Sequence, residues 1–227
     1  MFKTKKFIVD YSAKAGCTIV KKIWLDRMGL LEQALHKTHW VHNFMPKYLK
    51  KFGGQVTQAD LESDFFIKIK YVRNPYARAV SSFMHVAKTN LIQHFPADMN
   101  FRDFLCLISD RLDKPGSNHW NIQNKYPEII YDEIIKIENI HDETGRLNKK
   151  YNLNLCSDRG SCHHISNLNQ EKVDDAFNIP ADAIKTLIRD NSKLLPTYDS
   201  FYNDEIKQMV DAFYGIDIET YQYEFSY

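Results

Sequence analysis

No segment of this 227-residue chain is a long apolar run. None approaches the eighteen or so consecutive apolar residues of a membrane-spanning helix, and no apolar signal region follows the first methionine. The sequence therefore predicts no stable membrane anchor. It favours a cytoplasmic protein of bacterial type.

The chain also lacks an excess of charge of either sign. It carries 30 Lys and Arg against 29 Asp and Glu, a formal net charge of +1. This balance argues against a nucleic-acid partner and against general binding to membrane surfaces. Internal repeats and low-complexity stretches are absent, and 44% of the residues are hydrophobic. We therefore expect residues 1–227 to form a single domain, which buries roughly 70% of the surface that the unfolded chain exposes.

Cysteines are few, four in all, and they do not indicate a metal. Cys156 and Cys162 flank five residues, and His163 and His164 follow. Structural zinc sites use pairs of ligands two to four residues apart, so this spacing disfavours zinc. In the cytosol a reduced pair in a surface loop is the default. The prediction is that the protein binds no metal.

The common nucleotide-binding motifs are missing as well. A P-loop ends in Gly-Lys-Ser or Gly-Lys-Thr, whereas here Lys14 precedes Gly16. The Gly-x-Gly-x-x-Gly fingerprint of dinucleotide-binding folds does not occur. Any phosphate site in this chain is therefore of another kind.

A first candidate anion site follows a short apolar strand, Phe7–Val9. A loop of small residues leads into a helix over about residues 18–29, which has an apolar stripe. In such a loop, the backbone N–H groups of residues 15–18 face an anion at the helix N-terminus, and Lys14 adds a point charge. The segment predicts a site for a phosphate-like group.

A second strand, loop and helix repeat this arrangement. The strand Phe65–Val72 leads to Arg73, Asn74 is a suitable helix cap, and Pro75 suits the first turn of a helix over residues 75–88. Ser81 lies seven residues past Asn74, about two helical turns, so both are on one face of the helix. A phosphate group lying along that face would meet Arg73 and Ser81.

Strands alternate with helices along the chain, which predicts an α/β protein. Ile134–Ile137 is a third predicted buried strand, and the expected sheet is mainly parallel and flanked by helices on both faces. The C-terminal part is predicted to be helical. One helix is expected at about 101–112, before the third strand. After that strand, helices are expected at about 142–151, 181–195 and 203–214, and Gly215 is expected to end the last of them. In such sheets, ligands bind beyond the carboxyl ends of the strands.

The two segments resemble motifs of sulfotransferases that use PAPS (3′-phosphoadenosine 5′-phosphosulfate). Lys14-Ala-Gly-Cys-Thr18 resembles their 5′-phosphosulfate loop, and Arg73-Asn-Pro-Tyr-Ala-Arg-Ala-Val-Ser81 resembles their 3′-phosphate motif. The nearer match is the carbohydrate sulfotransferase family of the chondroitin and heparan 2-O type. Its His-Trp-x-x-Gln element resembles His119-Trp-Asn-Ile-Gln123. The resemblance implies a P-loop-kinase-like fold.

The resemblance also implies a reaction, the transfer of a sulfuryl group from PAPS to a hydroxyl of a saccharide or glycan-like acceptor. Lys14 would stabilise the leaving oxygen, and no metal would be needed. Arg73 and Ser81 would hold the 3′-phosphate. The 5′-phosphate would be held by backbone N–H groups and one hydroxyl of the loop residues Ala15, Gly16, Cys17 and Thr18. A lipid-linked acceptor would place the enzyme at the inner membrane.

Transfer to a hydroxyl requires a general base, and histidine suits a reaction near neutral pH. His39 is the first candidate because it lies between the two phosphate motifs in a Lys-Thr-His pattern that resembles the small-molecule branch of these enzymes. His119 is the second candidate. His42 and His164 rank lower, and Glu138 is the carboxylate alternative.

Two other functions remain open from the sequence. One is a P-loop-like small-molecule kinase, which the missing Gly-Lys-Ser/Thr motif disfavours. The other is a catalytically inactive relative that binds nucleotides or glycans, against which the presence of Lys14, Arg73 and Ser81 argues.

Overall fold

The computed structural model describes residues 1–38, 40–96, 98–160, 170–190 and 194–225. The chain forms two compact units. The first comprises Met1–Arg73 and Lys125–Cys162, and the second comprises Asn74–Asn124 and His163–Tyr227. Within the described ranges, no helix is both long enough and apolar enough to cross a membrane.

The first unit is built on a four-stranded sheet in the order β1-β2-β3-β4. Its strands are β1 (Phe2–Lys3), β2 (Phe7–Tyr11), β3 (Ile67–Val72) and β4 (Glu133–Lys136). β1 runs antiparallel to β2, whereas β2, β3 and β4 are parallel, with Tyr11 opposite Tyr71 and Tyr71 opposite Ile135. The predicted, mainly parallel sheet is confirmed. The carboxyl ends of the three parallel strands therefore lie at one edge.

One face of this sheet forms the core of the first unit. Val9, Ile69, Tyr71 and Ile135 are buried there among apolar side chains of four helices. These helices are α1 (Cys17–Arg27), α2 (Leu31–Thr38), α3 (Val41–Phe52) and α7 (Ile140–Tyr151). Trp24 of α1 donates a hydrogen bond from Nε1 to the hydroxyl of Tyr71 over 3.1 Å. This bond ties α1 to β3 and so places the N-terminus of α1 next to the sheet edge.

Helix α2 extends to Thr38 and helix α3 begins at Val41, in a part of the sequence that is polar and rich in histidine. Val41, Phe44, Met45 and Tyr48 of α3 are all buried. They recur at the spacing of one helical face, so their burial stabilises a helix over this stretch. A short helix, α4 (Gln58–Glu62), precedes β3.

The sequence predicts a buried strand here, whereas β4 is an edge strand of the described sheet and is only partly buried. Ile135 is buried, but the side chain of Ile134 is 43% exposed. A carboxylate anchors the strand to α7: Glu133 accepts hydrogen bonds from Arg146 at 2.7 Å, Lys150 at 2.6 Å and Tyr151 at 2.7 Å. Burial alone raises the pKa of Glu133, but these hydrogen bonds outweigh it and lower the pKa to about 2.

The second unit is mainly helical, as expected for the C-terminal part. It contains α5 (Pro75–Lys88), α6 (Phe101–Ile108), α8 (Ala181–Arg189) and α9 (Asp204–Tyr221), with two short parallel strands, β5 (Gln170–Glu171) and β6 (Leu195–Pro196). Phe83 packs against Phe101, Phe104 and Phe201 in an aromatic core. The observed bounds of α5 match the predicted ones. The other helices of this unit differ from prediction at their ends.

The expected end of the last helix at Gly215 is wrong. α9 continues through Gly215 to Tyr221. Val210, Tyr214, Asp217 and Tyr221 are buried along it at i, i+4, i+7 and i+11. Gly215 does not have a positive φ angle, and a Cβ added there would meet nothing within 4 Å, so the position does not require glycine. A glycine inside a helix costs only about 1 kcal/mol, and the continuing buried stripe outweighs that cost.

Candidate functional site

The loop between β2 and α1 has an unusual backbone. Lys14 and Gly16 both have positive φ angles, of 65° and 67°. Between them the N–H of Ala15 donates to the carbonyl oxygen of Ser12 over 3.2 Å. A Cβ at position 16 would lie 2.5 Å from Cγ1 of Ile137, so both the conformation and the space require glycine. A left-handed lysine is rare, and such conformations are concentrated at functional sites.

The N-terminus of α1 is left open by this loop. Its N-cap is Gly16, which has no side chain to accept from the first N–H groups, and the first turn contains no acidic residue. By contrast, Asn74 caps α5 by accepting from the N–H of Tyr76 over 2.9 Å. The open end of an eleven-residue helix carries a partial positive charge and unsatisfied donors. These are features of an anion site, and binding of an anion by the loop stays a prediction.

Arg73 joins the two predicted motifs. Its Nη1 donates a hydrogen bond to the carbonyl oxygen of Lys14 over 3.0 Å. The contact is possible because β2 and β3 are adjacent and parallel, so the residues that follow them emerge at the same edge. The guanidinium group of the second motif thus lies against the loop of the first motif.

The side chains of Thr18, Lys21 and His42 form a hydrogen-bonded triad next to the loop. Nε2 of His42 is 2.9 Å from Oγ1 of Thr18, and Nδ1 of His42 is 2.8 Å from Nζ of Lys21. Sγ of Cys17 lies 3.8 Å from the same Nε2 atom. Thr18 and Lys21 are buried on α1, three residues apart and so on one face of that helix, and His42 is on α3. The triad connects the loop to the adjacent helix.

Two aromatic rings flank the triad. Nζ of Lys21 lies 5.1 Å from the ring centroid of Tyr11, a cation–π contact. Burial lowers the pKa of Lys21. On the other side, Trp40 stacks on His42 with the ring centroids 5.3 Å apart and an interplanar angle of 16°. The side chain of Trp40 is 44% exposed, so an aromatic surface faces solvent one ring away from the loop.

In the second unit, Ser81 lies on α5 and is half-buried. The predicted cap at Asn74 and the first-turn Pro75 are observed, and they start the helix where the sequence indicates. Ser81 therefore has the predicted position on the helix. Its role in binding phosphate stays a prediction.

His119 ends a short turn, Ser117–His119, in the second unit. Its Nδ1 lies 2.9 Å from the carbonyl oxygen of Gly116. A carbonyl only accepts, so Nδ1 carries the hydrogen of the neutral ring and the lone pair is on Nε2. The ring stacks on His85 with centroids 4.2 Å apart. This tautomer is the one that a general base acting through Nε2 requires.

The segment that follows His119 is held by buried side chains. Ser82 donates to the carbonyl oxygen of His119 over 2.6 Å, and Tyr214 donates to that of Trp120 over 2.6 Å. Asp217 accepts from the backbone N–H of Gln123 at 2.7 Å and from that of Asn124 at 2.8 Å. Burial raises the pKa of Asp217, and these bonds oppose it. The His-Trp-x-x-Gln element is thus fixed at both ends.

Some predicted site residues cannot be placed. His39 and His164 lie outside the described residues. Glu138 is exposed in a turn, Ile137–Asn139, directly after β4.

Among the residues that the structure describes, no three His, Cys, Asp or Glu side chains are grouped to hold a metal ion. The sequence shows Lys21 only as one of several lysines near the first loop, and its contact with His42 depends on the packing of α3.

The chain matches the model of a known protein family. The profile described as "Sulfotransferase family" matches residues 1–224, nearly the whole chain. No curated protein and no solved structure matches the chain.

Proposed function

Because the chain belongs to the sulfotransferase family, we propose that it transfers the sulfuryl group of PAPS to a hydroxyl of a saccharide. Family membership by itself assigns sulfuryl transfer, a transferase activity of the EC 2.8.2 type, and the observed mixed α/β fold with its parallel sheet agrees with it. The donor, the acceptor and the roles of individual residues are the proposed part.

The observation that carries the proposal is the open N-terminus of α1, with Arg73 bound to its loop. The loop presents backbone N–H groups and has no side-chain cap. Thr18 is buried, and within the described part of the chain its hydroxyl contacts only the ring of His42. An oxyanion is the ligand that satisfies such a set of donors. The loop therefore fits the 5′-phosphate end of PAPS.

PAPS supplies an activated sulfuryl group whose leaving group is 3′,5′-ADP. As the bridging S–O bond breaks, negative charge accumulates on the oxygen that stays with the nucleotide. Lys14 is half-buried on the loop and is the proposed partner of that charge. A positioned donor of this kind acts mainly in the transition state, so Lys14 is assigned to catalysis more than to binding.

Arg73 and Ser81 are the proposed ligands of the 3′-phosphate. The position of Arg73 supports this role, since its guanidinium is held at the loop by the bond to Lys14. Residues 1–227 are proposed to act as one catalytic domain, since the family profile spans residues 1–224.

Two histidines are proposed for the general base. His39 is favoured by its place in the sequence between the two phosphate motifs. His119 is supported by its tautomer, with the lone pair on Nε2. His42 is less suitable, because both of its ring nitrogens already contact side chains of α1.

A saccharide acceptor is supported by Trp40. Its indole is 44% exposed and stacks on the histidine that contacts Thr18. A flat aromatic ring that faces solvent beside the reaction site provides a surface on which a sugar ring stacks. Tyr202, Tyr221 and Tyr223 provide no such surface, since they are at most 9% exposed.

Thermal-shift measurements with 3′,5′-ADP, 5′-ADP and ATP with Mg²⁺ test the donor. We expect selective stabilisation by 3′,5′-ADP, because only it presents both phosphate groups of the donor product. Incubation with ³⁵S-labelled PAPS and an array of saccharides then tests transfer and the acceptor.

Other outcomes distinguish the alternatives. Stabilisation by ATP with Mg²⁺, but not by 3′,5′-ADP, would instead indicate a small-molecule kinase. Binding of 3′,5′-ADP with no label transferred to any saccharide, phenol or other hydroxyl compound would indicate an inactive binding relative.

A further inference from the structure

When Lys21 is in its ammonium form, the positions of the hydrogens in the triad of Thr18, Lys21 and His42 follow from which atoms can donate. The ammonium group of Lys21 is a donor with no acceptor capacity. Its Nζ is 2.8 Å from Nδ1 of His42, so Nδ1 accepts. A neutral imidazole with an accepting Nδ1 has its hydrogen on Nε2. That hydrogen points at Oγ1 of Thr18, 2.9 Å away, and the hydroxyl oxygen accepts it.

The charge of Lys21 is what fixes this order. The face of the Tyr11 ring, 5.1 Å from Nζ, favours the ammonium form, whereas burial disfavours it. Besides His42, the titratable groups that contact the triad among the described residues are Cys17 and Tyr11. If Lys21 were neutral, its nitrogen could accept a hydrogen bond from Nδ1 of His42. Thr18 would then donate to Nε2 of His42, and the order of the hydrogen bonds would be reversed.

The consequence falls on the hydroxyl hydrogen of Thr18. Since Oγ1 already accepts from His42, its own hydrogen must point elsewhere. Thr18 is 3% exposed, and it contacts no second acceptor among the residues that the structure describes. A buried donor without an acceptor is costly, on the order of 1–3 kcal/mol, and a ligand oxygen removes that cost. The open end of α1, where Thr18 is the second residue, is the place for such an oxygen.

We propose that Lys21 and His42 form a relay that aims the Thr18 hydroxyl at the 5′-phosphate of the donor. The proposal deepens the proposed function, on which the identity of the ligand rests. Lys21 donates to His42, His42 donates to Thr18, and Thr18 donates to the phosphate oxygen. Hydrogen bonds in such a chain polarise one another, so the positive charge of Lys21 strengthens the last bond without contacting the ligand. His42 is a positioning residue in this scheme and not the general base.

The first test needs no ligand. Long-range ¹H–¹⁵N NMR correlations report the tautomer of each imidazole, and comparison with the His42→Gln variant assigns the signal of His42. We expect the neutral ring with its hydrogen on Nε2 in the wild-type protein and a mixture of tautomers in Lys21→Met. A ring with its hydrogen on Nδ1, or a doubly protonated ring, at neutral pH would overturn the relay.

The second test is a double-mutant cycle on 3′,5′-ADP affinity, measured by calorimetry. His42→Ala should weaken binding about tenfold, the effect of losing one oriented hydrogen bond. Once Thr18 is replaced by Val, the same His42→Ala change should alter affinity less than twofold. Gln at position 42 retains an N–H near the place of Nε2, so His42→Gln should bind within about threefold of wild type.

Additive effects of His42→Ala and Thr18→Val, or a Gln variant as weak as the Ala variant, would contradict the relay. Inorganic pyrophosphate is titrated in parallel to separate the two proposals. If the protein binds pyrophosphate as tightly as 3′,5′-ADP, the assignment of the donor is wrong. The double-mutant cycle on pyrophosphate affinity then still tests the relay. If the folded wild-type protein binds neither anion, the relay is wrong as well.

Discussion

Arg73 donates a hydrogen bond from Nη1 to the backbone carbonyl oxygen of Lys14 over 3.0 Å. This bond connects the side chain of one phosphate motif with the backbone of the other. It also holds a residue whose φ angle is positive, a conformation that a lysine rarely adopts without support. Arg73 therefore acts on the loop through one of the five N–H donors of its guanidinium group.

Replacement of Arg73 separates its action on the loop from its proposed contact with the 3′-phosphate. In Arg73→Ala, we expect 3′,5′-ADP binding to weaken by about 2–3 kcal/mol, since a charge-assisted phosphate contact is lost. Binding of 5′-ADP should weaken by less, because only the support of the loop is lost. Calorimetric titration of both nucleotides measures the difference. Arg73→Lys is the control, since it retains the charge and loses the forked geometry. Equal losses for the two nucleotides would mean that Arg73 acts through the loop alone.

Lys14 is expected to affect turnover more than binding. Lys14→Ala should lower kcat by roughly 10²-fold or more, by analogy with the loss of one transition-state donor. The affinity for 3′,5′-ADP should fall much less. Lys22→Ala is the matched control, because it removes a positive charge from α1, close to the loop in sequence. A Lys14 variant with near-normal kcat and only a raised KM would rule out the catalytic role.

The general base is tested by a pair of histidine variants. A base that works near neutral pH gives kcat/KM an acidic limb, and its removal lowers activity by roughly 10²–10⁴-fold. We expect this from His39→Ala, with 3′,5′-ADP affinity within a few-fold of wild type. His119→Ala is measured alongside, because its Nε2 also carries the lone pair that a base needs. Exposed His36 provides the control substitution.

The result assigns the base to one element. If only His119→Ala abolishes turnover, the base belongs to the His-Trp element. If neither variant matters, Glu138 becomes the leading candidate.

Glu133 gives a prediction about stability and pH. Its pKa is about 2 in the folded protein and about 4.3 in an unfolded chain, so its ionised form stabilises the fold. That contribution is complete above about pH 5 and is lost as the pH falls through the folded value near 2. Glu133→Gln should therefore lower the free energy of unfolding by about 1–2 kcal/mol at pH 7, and the two proteins should converge between pH 5 and pH 2.

Thermal melts at a series of pH values measure this difference. Glu128→Gln is the control, because Glu128 is exposed and its loss should change little at any pH. A difference between wild type and Glu133→Gln that stays constant down to pH 2 would show that the hydrogen-bond geometry matters and the charge does not.

Rules that act over a few consecutive residues were enough to predict the strands and the helix that carry the candidate site. Asn74 and Pro75 predict the start of α5 because capping and a fixed proline φ act within one turn, and α5 has the predicted bounds. The apolar pattern predicts β2 and β3, and the alternation of strands and helices predicts their parallel pairing. Because the residues that follow parallel strands lie at one edge of the sheet, Arg73 is expected near the loop of Lys14, as observed. These features depend on neighbours in the chain.

Only the tertiary structure decided where α9 ends and what surrounds the loop. Gly215 looks like a helix stop until Asp217 and Tyr221 are seen to be buried beyond it, and their burial depends on partners far away in the sequence. The same holds for His42. It is an ordinary histidine in the sequence, and it meets Thr18 and Lys21 only because α3 packs against α1. Periodicity and capping describe a few consecutive turns, whereas a hydrogen-bonded triad depends on directions between helices that only packing fixes.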